Sequence, residues 1–344
     1  MKIIILAVRD TGGTGYTLAH AINKVTPDHH AVNVRAVNTF IAYPTMVDMR
    51  DYNKSRIRRM VYNADVVVFL GAMQPFFESL RLRKNKLRDK QKLLLCMGSE
   101  WRLGRDQLIQ QADRLLEHYQ IVLGGADMFL PMEFKQPDGS VKHFDAVDED
   151  AVAYLPVVRS FDEITEKYGL CKTDTAAVET FGVPRRKVVF THAPTSETNK
   201  GSHIFYRAVT RAQQSCLNLI FQTIRQQPWA TTLSLLAGSD AYLDQAPPFP
   251  TAYGALSVEA AIFHLPSFSQ VAPECRAFIE RHTGLKTPYI VFSDDEDLYN
   301  KIKVIATDDA LRRHYGELNY HYCRQLHDEK PVVDRFLRIV EAMD

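Results

Sequence analysis

Apolar residues open the chain as an unbroken block, KIIILAV over residues 2–8, and then change to the three- and four-residue spacing of TLAHAINKV. A continuous β-rich block predicts a strand buried on both faces, as in parallel sheets. In the second stretch Leu18, Ala19, Ile22 and Val25 share one helical face, which predicts a helix. The alternation continues. Strands are expected at 31–37, 65–70, 92–97, 120–123 and 151–157, with helices near 52–62, 74–88 and 105–118. Residues 161–186 lose this rhythm and read as a linker ending in GVPRR. A second alternation follows, with strands at 187–192, 216–222, 240–244, 267–271 and 289–292. Helices are expected near 202–214, 229–238 and 255–263, and from 295 to the end. The expected class is α/β, with two Rossmann-like, doubly wound parallel-sheet domains facing a cleft. The division is 1–160 and 187–325, with a C-terminal helix at 326–344 packing back on the first domain.

Composition narrows the class. A chain of 344 residues, 46% apolar and 24% charged, suits two soluble domains, and no apolar run approaches the ~20 residues that span a bilayer. The opening MKIIILAV meets Arg9 and Asp10 too soon for a signal-peptide core. Five cysteines without a CxxC pair favour free thiols and a cytoplasmic location. A net charge of +1 gives the whole molecule no strong pull on nucleic acid or anionic membrane. Locally the balance differs, since residues 81–92 carry seven basic residues against one Asp and residues 54–59 add four more. Such runs are either solvated helix faces or a surface for a polyanionic acceptor.

Three stretches carry candidate chemistry. Thr11-Gly12-Gly13-Thr14-Gly15 joins a strand to a helix, where backbone N–H groups can approach a phosphate or a sugar hydroxyl. Leu18 occupies the third glycine position of G-x-G-x-x-G and no acid ends the second strand cleanly, which disfavours a dinucleotide dehydrogenase. In the second stretch a strand ends at His192-Ala193-Pro194, and Lys200-Gly201 precedes a helix that Ser202 can cap. A lysine beside free helix amides suits a diphosphate. In the third, Tyr253-Gly254 opens a helix that Pro266 ends, and Glu259 sits about one turn in. Its carboxylate can accept from both hydroxyls of a ribose.

His192-Ala193-Pro194, Lys200-Gly201, Ser239-Asp240 through Asp244-Gln245, Tyr253-Gly254, Glu259-Ala260 and Pro266, with G-x-x-x-x-E-A-x-x-x-x-x-P after a strand-loop-Lys-Gly-helix, resemble the nucleotide-sugar half of GT-B glycosyltransferases. The similarity is greatest to the family-4-like retaining group. It implies that Lys200 contacts the donor diphosphate and Glu259 the donor ribose. His192, Gly201, Tyr253 and Gly254 would line the donor site, with the Gly12-Gly13 loop closing over the donor. Two positions depart from the family: Thr251 stands where the first Glu of E-x7-E is expected, and Thr195-Ser196-Glu197 where an Arg is common. CMGSEWRLG is similar to an acid-x-Arg segment of the T-even phage β-glucosyltransferases, which makes Glu100 a candidate base and Arg102 its neighbour. A plain Glu100–Arg102 surface pair is the competing explanation. His20, His29 and His30 are assigned to solvent or packing, and no cluster has metal-ligand spacing.

The resulting expectation is a metal-independent glycosyltransferase without a cofactor, using a UDP- or GDP-sugar donor and a saccharide or glycan acceptor. Modified DNA is the alternative acceptor. A non-catalytic nucleotide-sugar-binding protein is the alternative class.

Overall fold

The computed structural model describes residues 1–344 except 11, 136–140, 170–177, 181, 182, 186, 247–250 and 344. The side chains of 99, 100, 102, 103, 132–135, 141–144, 178–180 and 183–185 also lie outside the described residues. Two compact units emerge, Met1–Ser160 with His327–Asp344, and Phe161–Leu326.

In chain order the first unit holds β1 (Lys2–Arg9), α1 (Thr14–Val25), β2 (His30–Val37), β3 (Val47–Asp48), α2 (Lys54–Asn63), β4 (Val66–Leu70) and α3 (Gln74–Leu80). It continues with β5 (Gln91–Cys96), α4 (Ser99–Leu115), β6 (Gln120–Leu123), a hairpin of β7 (Met132–Lys135) and β8 (Val141–Phe144), and β9 (Ala153–Tyr154). The second unit holds α5 (Phe161–Tyr168), a hairpin of β10 (Val178–Thr180) and β11 (Val183–Arg185), β12 (Val188–His192), α6 (Ser202–Gln213), β13 (Leu219–Thr223) and α7 (Trp229–Ala237). Then come β14 (Ala241–Gln245), α8 (Ala255–Ile262), β15 (Ser267–Ser269), α9 (Pro273–Thr283), α10 (Asp295–Thr307) and α11 (Asp309–His327), and α12 (Glu329–Glu341) returns to the first unit.

The first unit is built on a seven-stranded parallel sheet, β3-β2-β1-β4-β5-β6-β9. Ile3, Ile5, Val66, Val68, Leu93 and Leu95 turn one face of it towards Leu18 and Ile22 of α1 and towards Val332, Val333 and Phe336 of α12. Each large side chain buried there contributes about 1.5–3 kcal/mol. The second unit has a four-stranded parallel sheet, β13-β12-β14-β15, with Phe190, Leu243 and Phe268 against Phe205 and Val209 of α6 and Leu298 and Ile302 of α10. This is the expected α/β class with two parallel sheets.

Local differences have physical causes. The helix expected near 74–88 stops at Leu80 because Arg81 takes a left-handed conformation (φ 51°). Leu82 and Leu87 are then buried as anchors of an irregular segment with one 3-10 turn, not as a helix stripe. The helix expected near 105–118 starts at Ser99 and bends at Gly104. The strand expected at 289–292 reduces to a bridge between Phe268 and Ile290. Residues 161–168, placed in the linker by sequence, form α5, which packs with α7 and α8. Among the described residues no helix is long and apolar enough to cross a membrane, and Cys96, Cys216, Cys275 and Cys323 are buried and in no disulfide.

Candidate functional site

Of the candidate residues of the second unit, His192, Lys200, Gly201 and Gly254 gather at the carboxyl ends of β12 and β14, the edge where open α/β sheets bind ligands. After His192 the chain makes tight turns, with Lys200 N–H donating to Ser196 O (3.0 Å) and Ser202 N–H to Glu197 O (3.0 Å). Gly201 then enters α6 at φ 62°, and a Cβ there would lie 2.0 Å from the Ala246 carbonyl oxygen. Only glycine permits this approach. The Ala246 N–H in turn donates to Lys200 O (3.0 Å), tying the loop to the end of β14.

That tie places the Lys200 ammonium 3.3 Å from Asp244 Oδ1 and 2.5 Å from Gln245 Oε1. Asp244 has no exposed side-chain surface. Its Oδ2 accepts from the Gly254 N–H (2.7 Å) and from Ser269 Oγ (2.9 Å). Gln245 donates to Thr251 Oγ1 (3.0 Å) and to Ala252 O (2.7 Å). Thr251, at the position of the missing carboxylate, is therefore a buried member of this network. A Cβ on Gly254 would fall 2.6 Å from both Asp244 Oδ1 and Lys200 Nζ, so the glycine makes room for the ion pair. The Lys200 side chain keeps 19% of its surface in solvent. No side chain among the described residues caps the first turn of α6, where the Ser202 and Ile204 N–H groups turn to the backbone carbonyls of Glu197 and Gly201, so a reachable cation stands at the positive end of the helix.

Glu259 is fully buried on α8 and accepts from the Trp229 indole N–H of α7 (3.0 Å). Tyr253 stacks on Tyr289 with ring centroids 4.5 Å apart, and its hydroxyl meets that of Tyr322 (2.9 Å). His192 is fully buried. One ring nitrogen lies 2.7 Å from Leu243 O and the other 2.7 Å from Ser202 Oγ, and burial pushes its pKa down to about 4. It joins β12, β14 and α6 as a neutral imidazole.

In the first unit the glycine loop is filled from within. Asp10 accepts from the N–H groups of Gly15 (3.2 Å) and Tyr16 (3.0 Å), occupying the start of α1. Burial raises its pKa, opposed by those amides and by Arg159 and Arg35. The buried Arg159 guanidinium donates to Gly12 O (2.9 Å), and Gly13, at φ 67°, lies under Tyr43, whose ring a Cβ would meet at 2.2 Å. Glu100 and Arg102 lie on α4 just after β5, which Gly98 enters at φ 145°; their side chains are outside the described residues. Trp101 anchors this turn through its indole N–H to Met128 O (3.1 Å).

The two basic runs meet in this unit. Tyr62 Oη of α2 accepts from the Arg83 N–H (2.9 Å), so the two segments touch there. Lys92 does not join the surface, since its ammonium turns inward to the carbonyls of Leu87, Arg88 and Lys90.

Sequence reasoning matched Asp244-Gln245 to the family without giving either a role, and did not mark Trp229. A polar pair closing the apolar strand AYLDQ was the available signal for the first two. Nothing local marks the Trp229–Glu259 pair, which joins positions 30 residues apart.

No protein-family model matches the sequence, and no curated protein matches it. Solved structures do. An alpha-glucosyltransferase in complex with UDP-glucose and DNA containing an abasic site is similar with a TM-score of 0.66 at 12% identity, over 99% of each chain. Anabaena Alr3699/HepE in complex with UDP and glucose is similar with a TM-score of 0.59 at 10% identity, over 99% of this chain and 100% of that one. The fold is GT-B. Within GT-B, Lys200, Asp244, Gly254 and Glu259 all belong to the second parallel-sheet unit.

Proposed function

We propose that this protein is a glycosyltransferase that moves a sugar from a nucleoside diphosphate sugar to an acceptor hydroxyl. The observation that carries the proposal is the Lys200 ammonium, held by Asp244 and Gln245 beside the uncapped start of α6. Both solved neighbours named above were bound to a UDP-containing ligand, which supports a donor of that kind. Lys200 and the α6 amides neutralise the leaving diphosphate, the task a metal performs elsewhere. Glu259, oriented by Trp229, accepts from the ribose hydroxyls, and Tyr253 and Gly254 shape the approach. His192 serves the site indirectly, by fixing the strand end from which the loop departs. Glu100 takes the acceptor proton as the acceptor oxygen bonds to the anomeric carbon. The bond to the diphosphate breaks, its electron pair leaves with the phosphate, and Arg102 steadies the charge.

A saccharide or glycan acceptor is the first reading. A hydroxyl on modified DNA is the second, favoured by the adjoining basic runs of α2 and residues 81–90 and by the DNA bound to one neighbour. Turnover of UDP- and GDP-sugars with purified protein tests the proposal. Release of the nucleoside diphosphate is expected for at least one donor, and its loss in Lys200→Ala. Nucleotide binding without turnover of any donor favours a non-catalytic sugar-nucleotide binder. A DNA acceptor predicts a steep fall of acceptor binding with rising salt, and a glycan acceptor little change.

A further inference from the structure

The amino-terminal edge of the first sheet holds a cavity that the proposed donor site does not use. It measures about 370 Å³ and lies between the start of β1, the start of β2 and the helix α2. That volume is in the range of small-ligand pockets, roughly 300–1,000 Å³. The Gly12-Gly13 loop leaves the opposite end of β1, about 25 Å away at ~3.3 Å per strand residue.

Ile4, Val32 and Met60 contribute apolar lining, and the charged groups around them are Lys2, Arg56 and Arg59, with His30 beside them. Arg56 and Arg59 are one turn apart on α2, so their side chains leave the same face of the helix and both line the cavity. Among the described residues none of the three cations has a carboxylate partner within ion-pair distance. Arg56 lies over the Tyr52 ring, 5.9 Å from its centroid, and the Asp65 carboxylate accepts from the backbone N–H of Lys2 (2.7 Å). Three like charges drawn to one mouth repel one another, and a dianion relieves that repulsion. Paired guanidinium forks match phosphate oxygens in a way that carboxylate-free apolar pockets do not.

We propose that this cavity binds a phosphate monoester whose organic part is apolar. The phosphate is held by Arg56, Arg59 and Lys2, and the apolar group lies on Ile4, Val32 and Met60. The proposal is independent of the donor-site reading, because no residue of the donor site takes part, but it draws Arg56 and Arg59 from the basic run that the DNA-acceptor reading also uses.

Calorimetric titration of phenyl phosphate into the full chain saturated with UDP tests it. The expected result is one site per chain, at least tenfold weaker binding of inorganic phosphate, and at least tenfold weaker phenyl phosphate binding in the R56Q/R59Q double variant. The thermal midpoint and UDP binding of that variant should match the parent. Equal affinity for inorganic and phenyl phosphate would overturn the apolar half of the site. Undiminished phenyl phosphate binding in the double variant, or none in the parent, would overturn the site altogether. Binding of vesicles containing phosphatidic acid without binding of phenyl phosphate would assign the cations to a lipid surface and equally overturn the proposal.

Discussion

Each unit opens its sheet in the same way, with a strand, a short loop, a glycine in the left-handed region and a helix. Gly13 has φ 67° before α1, and Gly201 has φ 62° before α6. Their contents differ. In the first unit the Asp10 carboxyl group occupies the helix start, accepting from two first-turn amides, while Arg159 holds the loop carbonyl. In the second unit no carboxylate caps α6, and a cation stands at the helix start, braced by a buried carboxylate on the next strand. One helix start is already filled by a side chain of its own chain, and the other is not. This contrast is the ground for proposing the second unit as the diphosphate site.

The largest expected effect breaks the geometry of the second loop. Gly201→Ala forces a Cβ to within 2.0 Å of Ala246 O in a left-handed conformation. The expected loss is about 3–4 kcal/mol, measured by urea denaturation. Gly13→Ala is expected to lose less, because its Cβ meets the movable Tyr43 ring and not backbone. Equal losses would show that the two loops are not held differently.

Acid should reveal the buried imidazole behind the second loop. His192 has its pKa depressed to about 4 by burial, so the unfolded chain takes up a proton near pH 6.5 that the native state refuses. Its contribution is complete above pH 6.5 and is lost as pH falls towards 4, amounting to about 3 kcal/mol at 1.36 kcal/mol per unit. His327, held in the first unit by Val157 O and depressed to about 3, extends the same slope further into acid. A His192→Gln variant, compared with the parent between pH 6.5 and 4 by denaturant titration, should show a shallower slope and should still slope through His327. An unchanged slope would remove His192 from the acid response.

The smallest expected effect is in the first loop. Asp10→Ala removes the acceptor for the Gly15 and Tyr16 amides and should lower stability by about 1–2 kcal/mol. Affinity for UDP should be unchanged within a factor of two. A large loss of nucleotide affinity in Asp10→Ala would reverse the contrast between the loops.

Much of the fold was legible in the residues because parallel strands such as KIIILAV are apolar throughout and their helices show a clear stripe. Residues 81–90 misled because Leu82 and Leu87 are buried without a helix, after Arg81 has already ended it. For the site, Lys200-Gly201, Gly254 and Glu259 carried local signals of glycine, charge and helix start. Asp244 and Gln245 carried only the polar end of an apolar strand, and Trp229 nothing local, since their roles depend on strand pairing and helix packing that join distant positions. Asp10 was hidden for a similar reason: a charge after a strand looks solvated until the chain folds back to present its amides.

The central claim is that the start of α6 with Lys200 holds the diphosphate. Calorimetric titration of UDP and GDP into the parent and into Lys200→Ala tests it most directly. One site per chain is expected in the parent for at least one of the two nucleotides, with roughly 100-fold weaker binding in Lys200→Ala, equivalent to about 2.7 kcal/mol. Binding of that nucleotide with equal affinity by both proteins, or by neither, would contradict it.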